Sequence, residues 1–388
     1  MHAPQSAIGQ DDRLTNRPNI PSLTGFRFYA AFLVVMAHFS NMHLIKAGYP
    51  WAQNGSVFGS TGMTMFFVLS GFVIQYNYAD GFGKGRAGEL WRFAVARFAR
   101  LYPLFVFATA LSIAAAPAMQ GYQWRALPYW LTMTHGWLPI SIDGLFPGDA
   151  LTPGSWSISV EVLLYIIFIP LTIVIRRRAT DDMILRTAVA LALFLFIFHG
   201  IRAFTGYGAE PGWLWYRSAA ARLPEFAAGM IAAEMFMRRS AKSAPDVHER
   251  NLILLLLAGT FGIVAAILAG HLTHPRPVWA NAMSQNWFMA PFFAVFLYAI
   301  ARFNVRLQLL EGKAVLALGD ASYSIYLLHP PILWMVGWQG TEASAGFIAF
   351  KAVVSATAIT LFSLGVYQYF ERPAREIIRS ALLRPRDV

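Results

Sequence analysis

The 388-residue sequence contains no cysteine, which excludes disulfide bonds, thiolate metal sites and a cysteine nucleophile. Charged residues are also scarce, at 13%, whereas hydrophobic residues make up 57% of the chain and aromatic residues 15%. One soluble core cannot bury that much apolar side chain. The first twenty residues lack the apolar stretch and cleavage sequence of a signal peptide. The composition predicts a membrane protein with several spans and a short cytoplasmic N-terminal tail.

Ten apolar segments are long enough to cross a bilayer as α-helices. They cover about residues 22–42, 60–79, 98–118, 156–175, 183–203, 219–237, 252–271, 285–303, 315–337 and 345–369. Ten spans place both termini on one side, and most of the 31 lysine and arginine residues then fall in inner loops and tails. We therefore expect an all-α, polytopic membrane protein with cytoplasmic termini. Its expected parts are a tail at 1–21, a membrane domain at 22–371 and a tail at 372–388.

The formal net charge of +11 is spread over short loops and forms no continuous basic stripe. Membrane topology and anionic membrane lipid account for such a distribution, so no nucleic-acid partner is expected. No pair of histidines has a ligand-like helical spacing with a nearby carboxylate, and no metal site is expected.

The first apolar segment carries two residues that are costly in a bilayer, Arg27 and His38. Eleven residues along an α-helix turn through about 1100° and rise about 16 Å, so both side chains share one face at different depths. Charged and titratable residues at such depths line a protein interior or a watery cavity and indicate a functional site. This helix is expected to offer a fixed cation at one depth and a base at another.

The second and third segments add a hydroxyl and further cations. Ser70 in FFVLSGFVI is either one of the small residues that let membrane helices approach closely, or the point where the helix breaks and frees backbone amides for a ligand. RFARLYP places Arg97 and Arg100 on one side of a helix, beside Tyr102. These arginines either mark the cytoplasmic side or bind phosphate groups there.

The fourth segment opens with GSWSISVEVLLY. Trp156 is typical of an interfacial anchor, whereas Glu161 lies about one and a half turns inside an apolar helix and needs a partner. Glu161 and His38 both fall in the outer halves of their helices, so the carboxylate is predicted to orient the imidazole. The alternative is a structural ion pair between Glu161 and an arginine.

Two later segments carry polar residues at helical spacing. Arg222 and Glu225 in RLPEFAAGM stand at i and i+3, which predicts an ion pair that neutralises itself. SYSIYLLHPPI contains Tyr323, Tyr326 and, directly before two prolines, His329. The prolines predict a kink or an interruption of the helix at that histidine. The histidine there either bonds to backbone carbonyls or takes part in catalysis.

In their order along the chain, these motifs resemble those of the acyltransferase 3 family, over about residues 20–376. They are Arg27 and His38 with ten residues between them, FFVLSGFVI at 66–74, RFARLYP at 97–103, WSISVEVLLY at 156–165, RLPEFAAGM at 222–230, SYSIYLLHPPI at 322–332 and FERPA at 370–374. The resemblance implies a membrane O-acyltransferase, commonly an O-acetyltransferase, of the bacterial inner membrane. Such enzymes move an acyl group from cytoplasmic acyl-CoA to an acceptor at the outer face. The chain resembles the members without a fused C-terminal hydrolase-like domain.

The resemblance also implies roles for individual residues. His38 is implied to be the catalytic base or the acyl carrier. Glu161 is implied to orient His38, and Arg27 to assist in catalysis. Acetyl-CoA as the acyl donor is expected to contact Arg27, Arg97, Arg100 and Tyr102. The residues expected to line the substrate path are Ser70, Trp156, Ser157, Tyr323, Tyr326 and His329. Implied partners are membrane lipid, a polysaccharide or lipid-linked glycan acceptor, and polysaccharide assembly machinery.

Three alternatives remain open on sequence grounds. In the first alternative, the acceptor is a small molecule or a lipid instead of a glycan, since the family includes such members. The protein is a multi-pass transporter or flippase, because such proteins also carry charges and prolines within their spans. In the third alternative, the protein is a non-enzymatic subunit of a polysaccharide export machine. Consumption of acyl-CoA separates the enzyme from the other two classes.

Overall fold

The computed structural model describes residues 17–45, 48–49, 52, 55–115, 120–140, 142, 146, 154–205, 216–272, 286–304, 307–336 and 344–383. The helices are α1 (Pro21–Phe39), α2 (Ser56–Gly83), α3 (Glu89–Ala115), α4 (Gln120–Leu131), α5 (Trp156–Arg178), α6 (Asp181–Thr205), α7 (Ala219–Lys242), α8 (Val247–Leu272), α9 (Ala290–Phe303), α10 (Gln308–Glu311), α11 (Lys313–Asp320), α12 (Ser322–Val336), α13 (Ala345–Val366) and α14 (Arg372–Leu382). A π-helical turn, Ser40–Leu44, extends α1, and another, Tyr367–Glu371, joins α13 to α14. A 3-10 turn, Asn286–Met289, precedes α9. The prediction of an all-helical chain is confirmed for these residues.

Within the described part of the chain, six helical segments are long and apolar enough to cross a membrane. They are Pro21–Leu44, Ser56–Gly83, Glu89–Ala115, Trp156–Arg178, Val247–Ala266 and Gly346–Leu382. This supports a multi-pass membrane protein, while the count of ten spans and the cytoplasmic position of both termini stay predictions. The terminal stretches 1–16 and 384–388 lie outside the described residues.

Two predicted spans differ from the helices observed. The segment predicted at 285–303 contains a helix, α9, of only 14 residues, preceded by the 3-10 turn. The segment predicted at 315–337 is not one helix, because it divides at Ala321 into α11 and α12. Gly319 and Asp320 end α11, and both have low helix propensity. By contrast, α12 continues through Pro330 and Pro331, so the prolines do not interrupt it as the sequence suggested they could.

Helix α2 is the centre of the helix bundle. In its most apolar stretch 72% of the residues are buried, and it packs against α1, α5, α7 and α9. Small residues allow the closest of these approaches: a Cβ atom on Gly71 would lie 1.9 Å from the carbonyl oxygen of Phe226, and one on Gly229 would lie 1.9 Å from that of Val68. Gly71 is therefore one of the small residues that let membrane helices approach closely.

A buried polar network joins α2, α5 and α7. Glu234 is fully buried and accepts hydrogen bonds from Gln75 at 2.9 Å, Arg176 at 2.9 Å and Arg238 at 2.6 Å. Arg176 also contacts Asp80. A buried carboxylate is tolerated only when it is paired and hydrogen-bonded in this way, and the network fixes the relative positions of the three helices.

The C-terminal helix α14 packs across α3 and is held at both ends. Next to its first residue, Glu371 accepts an ion-pair hydrogen bond from Arg100 at 2.9 Å and a hydrogen bond from Ser324 at 2.6 Å. At its other end, the indole Nε1–H of Trp91 donates to the carbonyl of Leu382 at 3.1 Å. These contacts bring α14 against the helices that carry the predicted site residues.

Candidate active site

A cavity of about 130 Å³ lies between α1, α2, α3, α5, α12 and α14. Eight of the residues that the sequence predicted for the site lie in its wall: Arg27, Ser70, Arg97, Arg100, Ser157, Glu161, Tyr323 and Tyr326. Their motifs are spread over some 300 residues of sequence, yet they surround one cavity. This convergence identifies the cavity as the candidate active site.

Arginines dominate one end of the cavity, next to the starts of α1 and α12. The wall there contains Arg27 together with Arg97 and Arg100 of α3, and also Arg375 and Arg379 of α14. Arg97 donates to the hydroxyl of Tyr78 at 3.0 Å, and Arg100 pairs with Glu371. Five guanidinium groups around one cavity favour an anionic ligand, because fixed cations in a desolvated site require nearby negative charge.

Glu161 lies in the wall between α2 and α5. Its Oε1 atom accepts two hydrogen bonds, from the hydroxyl of Ser70 at 2.6 Å and from the hydroxyl of Tyr165 at 2.6 Å. The described hydrogen bonds of Glu161 do not include His38, so the predicted Glu161–His38 contact is wrong. The Glu161 carboxylate instead accepts hydrogen bonds from Ser70 on α2 and Tyr165 on α5, because α5 directs it toward α2 and not toward the outer end of α1.

The ring of His38 contacts a second histidine, His329 of α12. The distance from Nδ1 of His38 to Nε2 of His329 is 2.7 Å, and the rings stack with centroids 4.9 Å apart. Nδ1 of His329 lies 3.2 Å from the carbonyl oxygen of Ile325. A carbonyl only accepts, so this nitrogen carries the proton and Nε2 of neutral His329 is an acceptor. His38 then donates from Nδ1, and its own Nε2 keeps a lone pair.

That assignment gives His38 the tautomer of a general base, with Nε2 as the basic nitrogen. The partner of His38 is an imidazole from α12, where the sequence pointed to a carboxylate from α5. His329 also bonds to a backbone carbonyl, which confirms one of the two interpretations that the sequence left open for this residue, while a part in catalysis stays a prediction.

Gly154, Ser157 and Tyr326 connect the imidazole to the cavity. The hydroxyl of Tyr326 lies 2.7 Å from the Ser157 hydroxyl and 2.7 Å from the carbonyl of Gly154. Gly154 has φ +88°, and a Cβ atom on it would lie 3.2 Å from Cε1 of His38. Only glycine combines this backbone conformation with such closeness to the ring. The imidazole therefore stands directly beyond the tyrosine end of the cavity.

The turn before α5 is held by a buried histidine outside the spanning helices, His135. Its Nε2–H donates to the carbonyl of Ser155 at 3.1 Å, and its ring stacks on Trp130 with centroids 4.3 Å apart. Burial lowers the pKa of His135 from 6.5 to about 4, so the ring is neutral at physiological pH. The hydrogen bond from His135 to Ser155 fixes the backbone beside Gly154, which contacts the ring of His38.

Besides His38 and His329, two predicted residues lie outside the cavity wall. The hydroxyl of Tyr102 donates to the carbonyl of Leu131 at 3.1 Å, so it does not reach the cavity as predicted for a donor contact. Trp156 is buried, and the guanidinium of Arg222 lies 5.3 Å from its ring. Its interpretation as an interfacial anchor stays a prediction. Its indole packs beside a cation and supports the start of α5.

The predicted pair of Arg222 and Glu225 is confirmed. Both side chains are fully buried, with NH1 of Arg222 3.0 Å and 3.1 Å from the two carboxylate oxygens. Thr64 of α2 donates to the same carboxylate at 2.8 Å, so the pair also links α2 to α7.

Sequence reasoning missed three residues of the site: Gly154, Arg375 and Arg379. The glycine two residues before the tryptophan of the fourth span was a visible signal for a left-handed turn at the helix start. The two arginines stand at i and i+4, but such a pair in a terminal segment looks like an ordinary topology signal. Among the described residues, no group of three or more histidine, aspartate and glutamate side chains could hold a metal ion.

Comparisons with known proteins agree with these observations. The family model of the acyltransferase domain, Acyl_transf_3, matches residues 20–369. Acyltransferase MdmB of Streptomyces mycarofaciens is 27% identical over 369 residues, covering 89% of this chain and 87% of that protein. Peptidoglycan O-acetyltransferase OatA of Listeria monocytogenes is 22% identical and O-acetyltransferase OatA of Staphylococcus aureus is also 22% identical. These matches cover 93% and 92% of this chain.

The chain spans only 56% of the Listeria protein and 57% of the Staphylococcus protein. No solved structure matches the chain. The family match nevertheless covers nearly the whole sequence and contains five of the helices that form the cavity, α1, α2, α3, α5 and α12, whereas α14 follows it. The chain therefore belongs to the acyltransferase 3 family and is an acyltransferase with several membrane-spanning helices.

Proposed function

We propose that this protein transfers an acyl group, in the simplest case acetyl, from acyl-CoA to a hydroxyl of a polysaccharide or lipid-linked glycan. The observation that carries the proposal is one cavity with cations at one end and a paired imidazole beyond the other. The names of the OatA relatives support acetyl transfer to a surface polymer. The arginine end would face the cytoplasm and the imidazole end the outside of a bacterial inner membrane.

In this proposal the guanidinium groups of Arg27, Arg97 and Arg100 bind the phosphates of the donor, and the thioester reaches the far end of the cavity. Arg27 and His38 are eleven residues apart on one helix, so the two ends are separated by about 16 Å along α1. A donor with a charged head and a long flexible arm fits a site whose phosphate-binding arginines and catalytic imidazole are so far apart.

His38 would act as the general base. Its Nε2 takes the proton of the acceptor hydroxyl while that oxygen attacks the thioester carbonyl, and the carbon–sulfur bond then breaks as the proton passes to the departing thiolate. As His38 becomes positively charged, the lone pair on Nε2 of His329 accepts the hydrogen bond from its Nδ1. The alternative route, in which His38 itself carries the acyl group, uses the same nitrogen.

The hydroxyls of Tyr326 and Ser157 lie between the cavity and His38, where the acceptor hydroxyl and the thioester carbonyl would meet. They are the groups in position to donate a hydrogen bond to the developing oxyanion. Glu161, held by Ser70 and Tyr165, is proposed to shape the middle of the cavity and to balance part of the arginine charge.

The first test is acyl-CoA turnover by purified protein in lipid nanodiscs, followed as released thiol, for wild type, His38→Ala and His248→Ala. His248 is exposed and remote from the cavity, so its loss serves as a matched control. We expect His38→Ala to lose about 10²- to 10⁴-fold in rate, the contribution of a general base. Wild-type turnover in His38→Ala would contradict the assignment of the base.

The acceptor is tested by mass spectrometry of the surface glycan from cells lacking the gene, complemented with wild type or His38→Ala. Restoration of one acetyl mass per modified sugar by wild type alone supports the glycan acceptor. Acyl-CoA turnover without a change in the glycan redirects the search to small-molecule or lipid acceptors. No acyl-CoA turnover at all would contradict acyl-CoA as the donor.

His329 is tested with His329→Gln and His329→Ala. A glutamine oxygen accepts the hydrogen bond from Nδ1 of His38, whereas alanine leaves that donor without its partner. We expect the glutamine variant to retain more turnover than the alanine variant. Equal activity of the two variants would show that the hydrogen bond does not orient the base.

A further inference from the structure

A methionine side chain from α2, Met63, lies in the cavity wall at the tyrosine end. Its Sδ atom is 3.5 Å from the hydroxyl of Tyr326, which in turn lies 2.7 Å from the hydroxyl of Ser157. A Cβ atom on Gly154 would lie 3.4 Å from the Tyr326 hydroxyl and 3.2 Å from Cε1 of His38. The thioether of Met63 therefore borders the hydroxyls that stand beside the imidazole.

Close packing of α1 against α2 holds Met63 in this position. A Cβ atom on the preceding residue, Gly62, would lie 2.6 Å from the carbonyl oxygen of Ala30 and 2.9 Å from Cγ2 of Val34. Met63 is only 5% exposed and belongs to the same buried apolar cluster as Val34 and Tyr326. Because helices packed this closely leave little freedom for the backbone to shift, the space next to the Tyr326 hydroxyl depends on the side chain at position 63.

The planar geometry of a thioester places its acyl chain next to Met63. Oxygen, sulfur and the first carbon of the acyl chain surround the carbonyl carbon in one plane. In the proposed function the oxygen points to the hydroxyls of Tyr326 and Ser157, and the sulfur leads back toward the arginine end. The acyl chain is then directed to the apolar part of the wall at this end, which contains Met63, Phe66 and Ile158. The ring of Phe66 packs edge-on against that of Tyr326, with centroids 5.5 Å apart.

We propose that Met63 determines the length of the acyl group, selecting acetyl over longer saturated chains. The inference rests on the proposed function, which places the thioester at the tyrosine end of the cavity. A longer chain must displace a buried side chain that already contacts Tyr326, and overfilling a close-packed apolar site is costly. Met63 thus acts as a specificity-determining residue and leaves the chemistry to His38.

The test is kcat/KM for acetyl-CoA and for butyryl-CoA, measured as released thiol with the full chain in nanodiscs. The variants form a series of decreasing side-chain size, Met63→Leu, Met63→Val and Met63→Ala. Met65→Ala is the matched control, because Met65 is a methionine of the same helix, only 6% exposed, but outside the cavity wall and in a different apolar cluster. Residues at i and i+2 of a helix do not share a face.

The measured quantity is the ratio of kcat/KM for butyryl-CoA to that for acetyl-CoA. Both values come from one sample, so a misfolded fraction does not change the ratio. We expect wild type to prefer acetyl-CoA, since one methylene in an apolar site changes specificity by about 10- to 200-fold. Met63→Ala should raise the ratio by about tenfold or more, and Met63→Val by less. Met63→Leu should stay close to wild type, because leucine and methionine have similar volumes.

The outcomes separate the inference from the proposed function. If acetyl-CoA is consumed but the ratio is unchanged in Met63→Ala and Met63→Val, the role of Met63 is wrong and the proposed function stands. An equal rise in Met65→Ala would show a general loosening of α2, and a wild type that prefers butyryl-CoA would show that Met63 does not limit the chain; either result overturns the inference. If Met63→Ala consumes neither donor, the ratio in Met63→Val decides. If wild type releases thiol from neither donor, the proposed function itself fails.

Discussion

Replacing Gly71 with alanine tests the packing that holds the candidate active site together. The new Cβ atom would meet the carbonyl oxygen of Phe226 at 1.9 Å, whereas ordinary contact begins at 3.4 Å. The obstacle is backbone of a neighbouring helix, which cannot rotate away as a side chain can. Helices α2 and α7 would have to separate by about 1.5 Å, the difference between these two distances.

That separation would break the hydrogen bonds between the two helices. The Thr64–Glu225 and Gln75–Glu234 distances are now 2.8 Å and 2.9 Å, and both would exceed hydrogen-bonding range. Overpacking costs about 1–3 kcal/mol, and a lost hydrogen bond to a charged group costs about 1.5–3 kcal/mol. We therefore expect Gly71→Ala to lower the free energy of unfolding by about 3 kcal/mol or more.

The assay is thermal denaturation of purified protein in one detergent, followed by the fraction that remains monodisperse. Gly259→Ala on α8 is the matched control, since a Cβ atom there meets nothing within 4 Å. That control should melt at or above the wild-type temperature, because alanine favours helix over glycine by about 1 kcal/mol. A Gly71→Ala protein that melts with the wild type would refute the close approach of α2 and α7.

Three further outcomes are expected. Gly154→Ala should reduce acyl-CoA turnover more than stability, because the methyl group strains a backbone with φ +88° and presses on His38; an unchanged rate would contradict this placement. His135, with its pKa lowered to about 4, favours the folded state fully above pH 6.5 and less as the pH falls from 6.5 to 4. At pH 5 the free energy of unfolding is about 2 kcal/mol lower than above pH 6.5. The acid-induced drop in melting temperature should therefore be smaller in His135→Gln than in wild type. An equal drop would show that His135 is not the group responsible. Ser70→Ala removes one of two hydrogen bonds to Glu161 and should slow turnover by about tenfold, with a loss of about 1.5–3 kcal/mol in the free energy of unfolding; a rate equal to wild type would show that this bond does not shape the site.

Much of the fold and several site residues could be predicted because their signals are local. Hydrophobic length alone indicated the long apolar helices, since the bilayer requires about twenty apolar residues per span. Helical periodicity placed Arg27 and His38 on one face, and Arg97 and Arg100 on one side of α3, before any contact was known. The Arg222–Glu225 pair was equally accessible, because both partners belong to one helix and their spacing fixes their distance.

Contacts between helices could not be predicted in the same way. Depth along the helices suggested Glu161 as the partner of His38 and gave no sign that His329 would take that place. The rotation of α12 and α5 about their own axes decided the matter, and it depends on packing at many positions remote from the site. The break at Ala321 likewise belongs to a segment whose overall hydropathy is that of a single span.

The sequence by itself determined that this protein is helical and lies in a membrane, that cations and a histidine share its first helix, and which family its motifs resemble. Only the tertiary structure decided that His329 contacts His38, that Gly154 lies against the ring, and that α14 brings Arg375 and Arg379 to the cavity. The physical reason is that periodicity and hydropathy are properties of one helix at a time. Contacts between helices depend on how all the helices pack together, and local patterns in the sequence do not reveal that packing.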